Sequence, residues 1–252
     1  MNLEPADDES LDVLSNRLRL LQRRRGHRAA TDDVLLAWAG LHHVERPARF
    51  LDLGTGKGTV ALLMLSIDTQ TRGTGIEVYR PSYDLAVRNT TLNGMDARMT
   101  LIHGDLRMPG LVSDDAKFDL ITGAPPFMPL GTGILPQDPQ RASGRFELNG
   151  GVEAYFQAAA RALAPRGRAV ILMDGLGTAR GIEAAHEFDL CVYHVIRVMP
   201  RPKAPPTYGL IVAGFEQRPR TDDSIAIRGP SGDGWTARYN GIRAFLDLPC
   251  AG

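Results

Sequence analysis

The sequence predicts an α/β fold in which a mostly parallel sheet is covered by helices on both faces. Two observations carry the prediction. Apolar runs of β character alternate with helix-like stretches through most of the chain, and parallel strands need crossovers that lay the helices over the sheet. The 252 residues are 43% hydrophobic and 23% charged, enough to bury one substantial core and too apolar for a disordered or fibrous chain.

The elements follow in order. ARFLDLG is a strand, TVALLMLS a helix, GTGIEVY a second strand, PSYDLAVRNTTLNG a helix and RMTLIHGD a third strand. KFDLITGAPPF gives a fourth strand, followed by a Gly- and Pro-rich loop to about Gly151, the helix VEAYFQAAARALAP and a fifth strand, GRAVILMDG. A helix through GTARGIEAAHEF leads to the strand-like runs LCVYHVIRVM and TYGLIVAGFE, and the RPKAPP connection between them is short enough for antiparallel pairing. The expectation is a seven-strand, mostly parallel sheet with an antiparallel strand at one edge. Residues 1–45 are expected as an N-terminal extension and helix, 46–218 as the main domain, and 219–252 as a C-terminal strand and helix packed on that same domain.

Lys plus Arg and Asp plus Glu each number 29, so no global charge draws the chain to nucleic acid or an anionic membrane; such binding needs a local patch. Cys191 and Cys250 form no CxxC, which excludes a zinc knuckle and fits a reducing, cytoplasmic setting. The acidic start MNLEPADDES and the shortness of apolar stretches such as Val60 to Leu65 give no expectation of a signal peptide or a membrane span.

FLDLGTGKGTVALL places Gly54, Gly56 and Gly58 directly after a strand and before a helix, where the absence of a Cβ lets a ligand approach the backbone closely. The spacing is GxGxG rather than the dinucleotide GxGxxG, and it is preceded by Asp52. Glu77 ends the second strand, where a carboxylate can accept both hydroxyls of a ribose, and Asp105 ends the third. Each acid alone reads as a helix cap. At successive strand ends the three are expected to converge on one crevice, because ligands in such sheets sit at the carboxyl ends of the strands.

DLGTGKG, IEVY, HGDL and FDLITGAPPF together resemble a Rossmann-like class I S-adenosylmethionine-dependent methyltransferase. LQRRRGHRAATDDVLLAWA before the first of these strands, PQRASGRFE after the fourth and IAIRGPSGDGWTARYNGIRAFL at the C-terminal end resemble the bacterial tRNA N(6)-adenine methyltransferases of the valine-tRNA type. The resemblance implies S-adenosylmethionine as cofactor and an exocyclic adenine amine in tRNA as target. It further implies that Gly54, Thr55, Gly56 and Gly58, with Asp52, cradle the methionine part; that Glu77 holds the ribose; that Asp105 and Leu106 meet the adenine; and that Thr31 and Asp32 lie near the cofactor. Where the family carries N-P-P-Y or N-P-P-F, this chain reads Ala124, Pro125, Pro126, Phe127. Alanine offers only its backbone to the target amine, while Phe127 could stack on a planar ring and the carbonyls of Gly123, Ala124 and Pro125 could accept from it.

Arg17, Arg19, Arg23, Arg24, Arg25, His27 and Arg28 crowd together before the cofactor half, and Arg141, Arg145, Arg197, Arg201 and Lys203 lie in segments expected to flank the crevice mouth. Arg23, Arg24, Arg25, Arg141 and Arg145 are the candidates for phosphate contacts; the alternative is a solvated face offset by Glu4, Asp7, Asp8 and Glu9. No metal site is expected, since His42, His43 and His103 lack ligand spacing. Serines lack a GxSxG elbow and Cys191 has no evident base, so nucleophilic catalysis has no support. Two rival readings stand beside tRNA methylation: a methyltransferase of a small-molecule or peptide amine, favoured by Ala124 and zero net charge, and a cofactor- or RNA-binding homologue whose target pocket has decayed.

Overall fold

The computed structural model describes residues 1–113 and 116–249; the expectation for Cys250 lies outside the described residues, and Cys191 is a free thiol. A hairpin of β1 (Glu9–Val13) and β2 (Arg19–Arg23) precedes α1 (Thr31–His43), where an extension and a helix were expected. The βα series follows as β3 (Arg49–Leu53), α2 (Thr59–Ile67), β4 (Arg72–Glu77), α3 (Arg80–Leu92), β5 (Met99–His103) and β6 (Phe118–Gly123). The Gly- and Pro-rich loop after β6 holds a short helix, α4 (Pro139–Arg145), and is followed by α5 (Val152–Ala162), β7 (Leu163–Asp174) and α6 (Thr178–Glu187). β8 (Cys191–Met199), β9 (Tyr208–Gly214), β10 (Thr221–Ala226) and α7 (Ala237–Phe245) complete the chain.

The main sheet has eight strands in the order β10-β8-β9-β7-β6-β3-β4-β5, one more than the seven expected. The extra strand is the C-terminal β10, which pairs parallel to β8. β9 alone runs against its neighbours, and because β10 closes the outside of β8, the antiparallel strand lies within the sheet rather than at its edge. β3, β4, β5, β6 and β7 pair in parallel, so their carboxyl ends point the same way.

The strand period of two divides the core between the sheet's faces. From β7, Val170 and Leu172 join Leu36 of α1, Met64 of α2 and Ile242 of α7. Ala169, Ile171 and Met173 join Phe156 of α5 and Ala185 of α6 on the other face. Full burial of such a Leu, Ile or Phe stabilises by about 1.5–3 kcal/mol each, which makes these layers the rigid platform of the strand ends. The first cluster draws on α1, α2 and α7 together.

Candidate active site

β3 leaves the sheet through a turn in which Gly54 and Gly56 take φ of +63° and +58°, left-handed values that cost glycine nothing. A Cβ on Gly54 would collide with the Tyr155 hydroxyl, whereas around Gly56 the space is open. Gly58 (φ +88°) immediately precedes α2, and a Cβ there would lie in ordinary contact with Ala86 of α3.

Asp52 is buried at the base of this turn. Its carboxylate accepts from Thr55 Oγ1 at 2.6 Å and from Thr122 Oγ1 at 2.8 Å, lacing the glycine turn to β6. Burial pushes its pKa up to about 7 against the opposing effect of these two bonds. Glu77 is buried at the end of β4 and is held by backbone alone: Gly56 N–H donates to Oε2 at 2.9 Å and Tyr79 N–H to Oε1 at 2.7 Å. Burial raises its pKa too. A carboxylate oxygen accepts more than one bond, so both oxygens keep capacity for a ligand's hydroxyls. Asp105 is only partly buried, and Arg107 Nε donates to both of its oxygens at 2.9 and 3.0 Å, which lowers its pKa.

These side chains line one cleft at the carboxyl ends of the strands, as the positions of Asp52, Glu77 and Asp105 led one to expect. Asp32, Gly54, Thr55, Gly56, Leu106, Ala124 and Pro126 line it as well. Other expected residues stand elsewhere. Thr31, the first residue of α1, faces a separate groove beside Trp235 and Tyr239. Pro125 is buried and does not line the cleft, and the half-buried Phe127 packs on both core clusters with its ring 6.4 Å from that of Tyr208.

The arginines do not line the cleft either. Arg23 is paired with Asp8 and Asp138, Arg17 with Asp247 and Arg28 with Asp12, which neutralises three of the six arginines of the N-terminal cluster. Arg24 and Arg25 remain exposed beside α4, because Gly26 packs on Gln140 and His27 on Gly144. The segments that carry the two groups of candidate arginines, 24 and 25 with 141 and 145, are thus packed together.

Several cleft residues escaped the sequence reading. Lys57, within the GKG turn, is buried and lines the cleft, and among the described residues it forms no ion pair; burial depresses its pKa although Asp33 and Asp32 oppose this. Tyr155 of α5 wedges between Gly54 and Gly123, and burial raises its pKa. Asp32 Oδ1 and Thr59 Oγ1, both in cleft-lining residues, are buried without a hydrogen-bond partner among the described residues. Burial and the neighbouring Asp33 push the Asp32 carboxyl up to about 6. Orphaned polar atoms cost about 1–3 kcal/mol each, so the cleft is built for a polar ligand that would satisfy them.

A curated relative from Bacteroides fragilis, named tRNA1(Val) (adenine(37)-N6)-methyltransferase, is 30% identical over 191 residues, spanning 75% of this chain and 77% of its own. The chain belongs to that family. A relative of the same name from Porphyromonas gingivalis is 33% identical over 149 residues, and the match spans 58% of either chain, less than two thirds of that relative's length. A release factor glutamine methyltransferase from Caulobacter vibrioides is 34% identical over 127 residues, 50% of this chain and 42% of its own. No family model matches the chain. Among solved structures, a predicted O-methyltransferase from Agrobacterium tumefaciens superposes with a TM-score of 0.68 at 17% identity, covering 86% of this chain and 98% of that one, and shows that the fold is the methyltransferase fold. In this chain the cleft is the place where α1, the loop around α4 and the glycine turn meet: α1 brings Asp32, and the loop around α4 brings Gln140 and Ser143.

Proposed function

We propose that this protein transfers a methyl group from S-adenosylmethionine to the exocyclic amine of an adenine in tRNA. The observation that carries the reading is the placement of Glu77, locked by the amides of Gly56 and Tyr79, over an open glycine turn in a chain of this family. The cofactor would supply a methyl already activated on sulfonium, so the protein has mainly to position and to exclude water.

The residues divide the cofactor's recognition. Glu77 would accept the ribose hydroxyls, and Asp105 and Leu106 border the place of the adenine. The amino-acid end needs a partner for an ammonium and one for a carboxylate, and the orphaned Asp32 and the unpaired Lys57 have those two charges. For the target amine, Ala124 and its neighbours at the end of β6 offer backbone carbonyls, with Pro126 as an apolar wall. Arg24, Arg25, Arg141 and Arg145 would hold phosphates and fix register without reading sequence.

A second reading rests on Ala124 and on the release factor glutamine methyltransferase relative: the acceptor is a peptide amide rather than a base. Labelled methyl transfer to an unmodified tRNA transcript and, in parallel, to a release factor separates the two. Label in tRNA alone supports the first reading; label in protein alone replaces it with the second. A soluble setting without a membrane partner accords with the first, and no helix among the described residues is long and apolar enough to cross a membrane.

A further inference from the structure

The C-terminal segment builds a second basic surface away from the cleft. Ile227 and Arg228 continue β10 by bonding through their amides to the carbonyls of Met199 and Pro200, which brings the turn after β10 against the β8–β9 connection. There the Arg228 guanidinium lies 4.0 Å from the centre of the Trp235 ring, and that of Arg243 lies 5.3 Å from it. Arg201 reaches the same place from the β8–β9 connection: a Cβ on Gly232 would sit 3.2 Å from its Cζ, and Gly232 holds a φ of +84°. Three carboxylates of this region are committed elsewhere, Asp222 to Arg197 and Arg220, Asp223 to Arg238, and Asp247 to Arg17, while Asp233 is exposed within the turn itself and forms no ion pair among the described residues. Among the described residues, Arg201, Arg228 and Arg243 form no ion pair.

A guanidinium stacked on an indole presents its in-plane N–H edge sideways, and that edge matches the two oxygens of a phosphate; Arg243 already gives one of its N–H groups to the Pro249 carbonyl, so Arg228 is the stacked arginine with the open edge. Arg228 and Arg243 share one ring and Arg201 lies beside the same turn, so three positive groups against the single Asp233 leave an excess of positive charge there that an anion stabilises. The surface also lies at the strand-carboxyl end that carries the cleft, since Arg201 follows β8 and Arg228 follows β10, both parallel to β7. Arg24, Arg25, Arg141 and Arg145 border the cleft near β4 and α3, so the two basic regions flank it from opposite ends of the sheet order.

We propose that Arg228 and Arg243 on Trp235, with Arg201 beside the turn that leads to it, form a phosphate-binding platform that holds the RNA backbone at a distance from the target base. The proposal rests on the reading that the substrate is an RNA. It is tested with a fluorescent single-stranded oligoribonucleotide and with an unmodified tRNA transcript, whose binding is measured over a series of salt concentrations. Variants are R201A/R228A, the charge-preserving R228K, and R166A, which removes one exposed arginine near the start of β7, at the other end of the strands.

The platform predicts that R201A/R228A weakens binding of either RNA by tenfold or more. It also predicts that the slope of log affinity against log salt falls by about 0.7 for each contact removed with the oligonucleotide. R228K is expected to keep the salt slope and lose affinity, because an ammonium cannot make the bidentate contact, and R166A to behave as wild type. Affinity and slope for R201A/R228A no different from R166A would overturn the platform while leaving the RNA reading intact. Failure of the unaltered protein to bind either RNA would overturn the RNA reading and the platform with it. Cofactor affinity and melting temperature, measured on the same samples, confirm that each variant is folded.

Discussion

The amide of Gly56 donates to Glu77 Oε2 at 2.9 Å, so the turn that ends β3 fixes the carboxylate that ends β4. Two adjacent strands thereby share one polar lock at the floor of the cleft. The lock orients Glu77 before any ligand arrives, which removes an ordering cost from binding.

Glu77→Ala is therefore expected to weaken S-adenosylmethionine binding by about a hundredfold, the equivalent of two charge-assisted hydrogen bonds at about 3 kcal/mol together. Glu77→Gln should lose less, since the amide oxygen still accepts one bond. Titration calorimetry of both variants checks this; equal affinity in Glu77→Ala and wild type would remove Glu77 from the cofactor site.

Gly54 and Gly56 both have positive φ, yet alanine is expected to act differently at each. At Gly56 the Cβ enters open space, so Gly56→Ala should cost only the left-handed backbone, about 1–2 kcal/mol. At Gly54 the Cβ also collides with the Tyr155 hydroxyl, so Gly54→Ala should melt at a lower temperature than Gly56→Ala. Thermal denaturation of the pair, with no cofactor present, reads the difference directly; equal melting temperatures would contradict the packing of Tyr155 on the turn.

Asp52 gives a pH signature. Its pKa rises from 3.8 to about 7 in the folded protein because of burial, so between those values the native state holds a proton that the unfolded chain releases. The stability contributed by this group is complete below about pH 4 and is lost as pH rises toward 7. In Asp52→Asn that decline should be absent, although the variant starts lower because its NH2 group cannot accept from Thr55 or Thr122. Denaturant titrations from pH 4 to 7.5 on both proteins test this; parallel pH profiles would show that Asp52 titrates normally.

What was legible in the sequence follows from local rules. Asp52, Glu77 and Asp105 could be placed because alternating strands and helices force each strand end to the same side, and an acid at a strand end needs no tertiary information. Lys57 and Tyr155 could not be placed that way. Tyr155 sits in the helical pattern VEAYFQAAARA, where an aromatic is ordinarily core, and only the neighbouring Gly54 and Gly123 reveal that it walls the cleft. β10 was weakly legible because TDDSIA buries only Ile225. The ion pairs of the arginine cluster were not legible: Arg17 with Asp247 and Arg23 with Asp138 join residues more than a hundred positions apart, which no local pattern announces.

Ala124 lines the cleft and is solvent-exposed, at the position where the sequence resemblance implies Asn. If the target is an adenine amine, Ala124→Asn should retain or raise methyl transfer to tRNA, because the amide adds an acceptor for developing positive charge on nitrogen. Initial rates with transcript substrate compare the two; a rate that collapses in Ala124→Asn while cofactor affinity is unchanged would show a pocket rebuilt for another acceptor.

The claim that the protein methylates adenine in tRNA is tested most directly by mass spectrometry of nucleosides digested from purified tRNA of cells with and without the gene. The account predicts an N6-methyladenosine signal that disappears without the gene and returns when the wild-type gene, but not Glu77→Ala, is supplied. An N6-methyladenosine content identical in the two tRNA pools would contradict it.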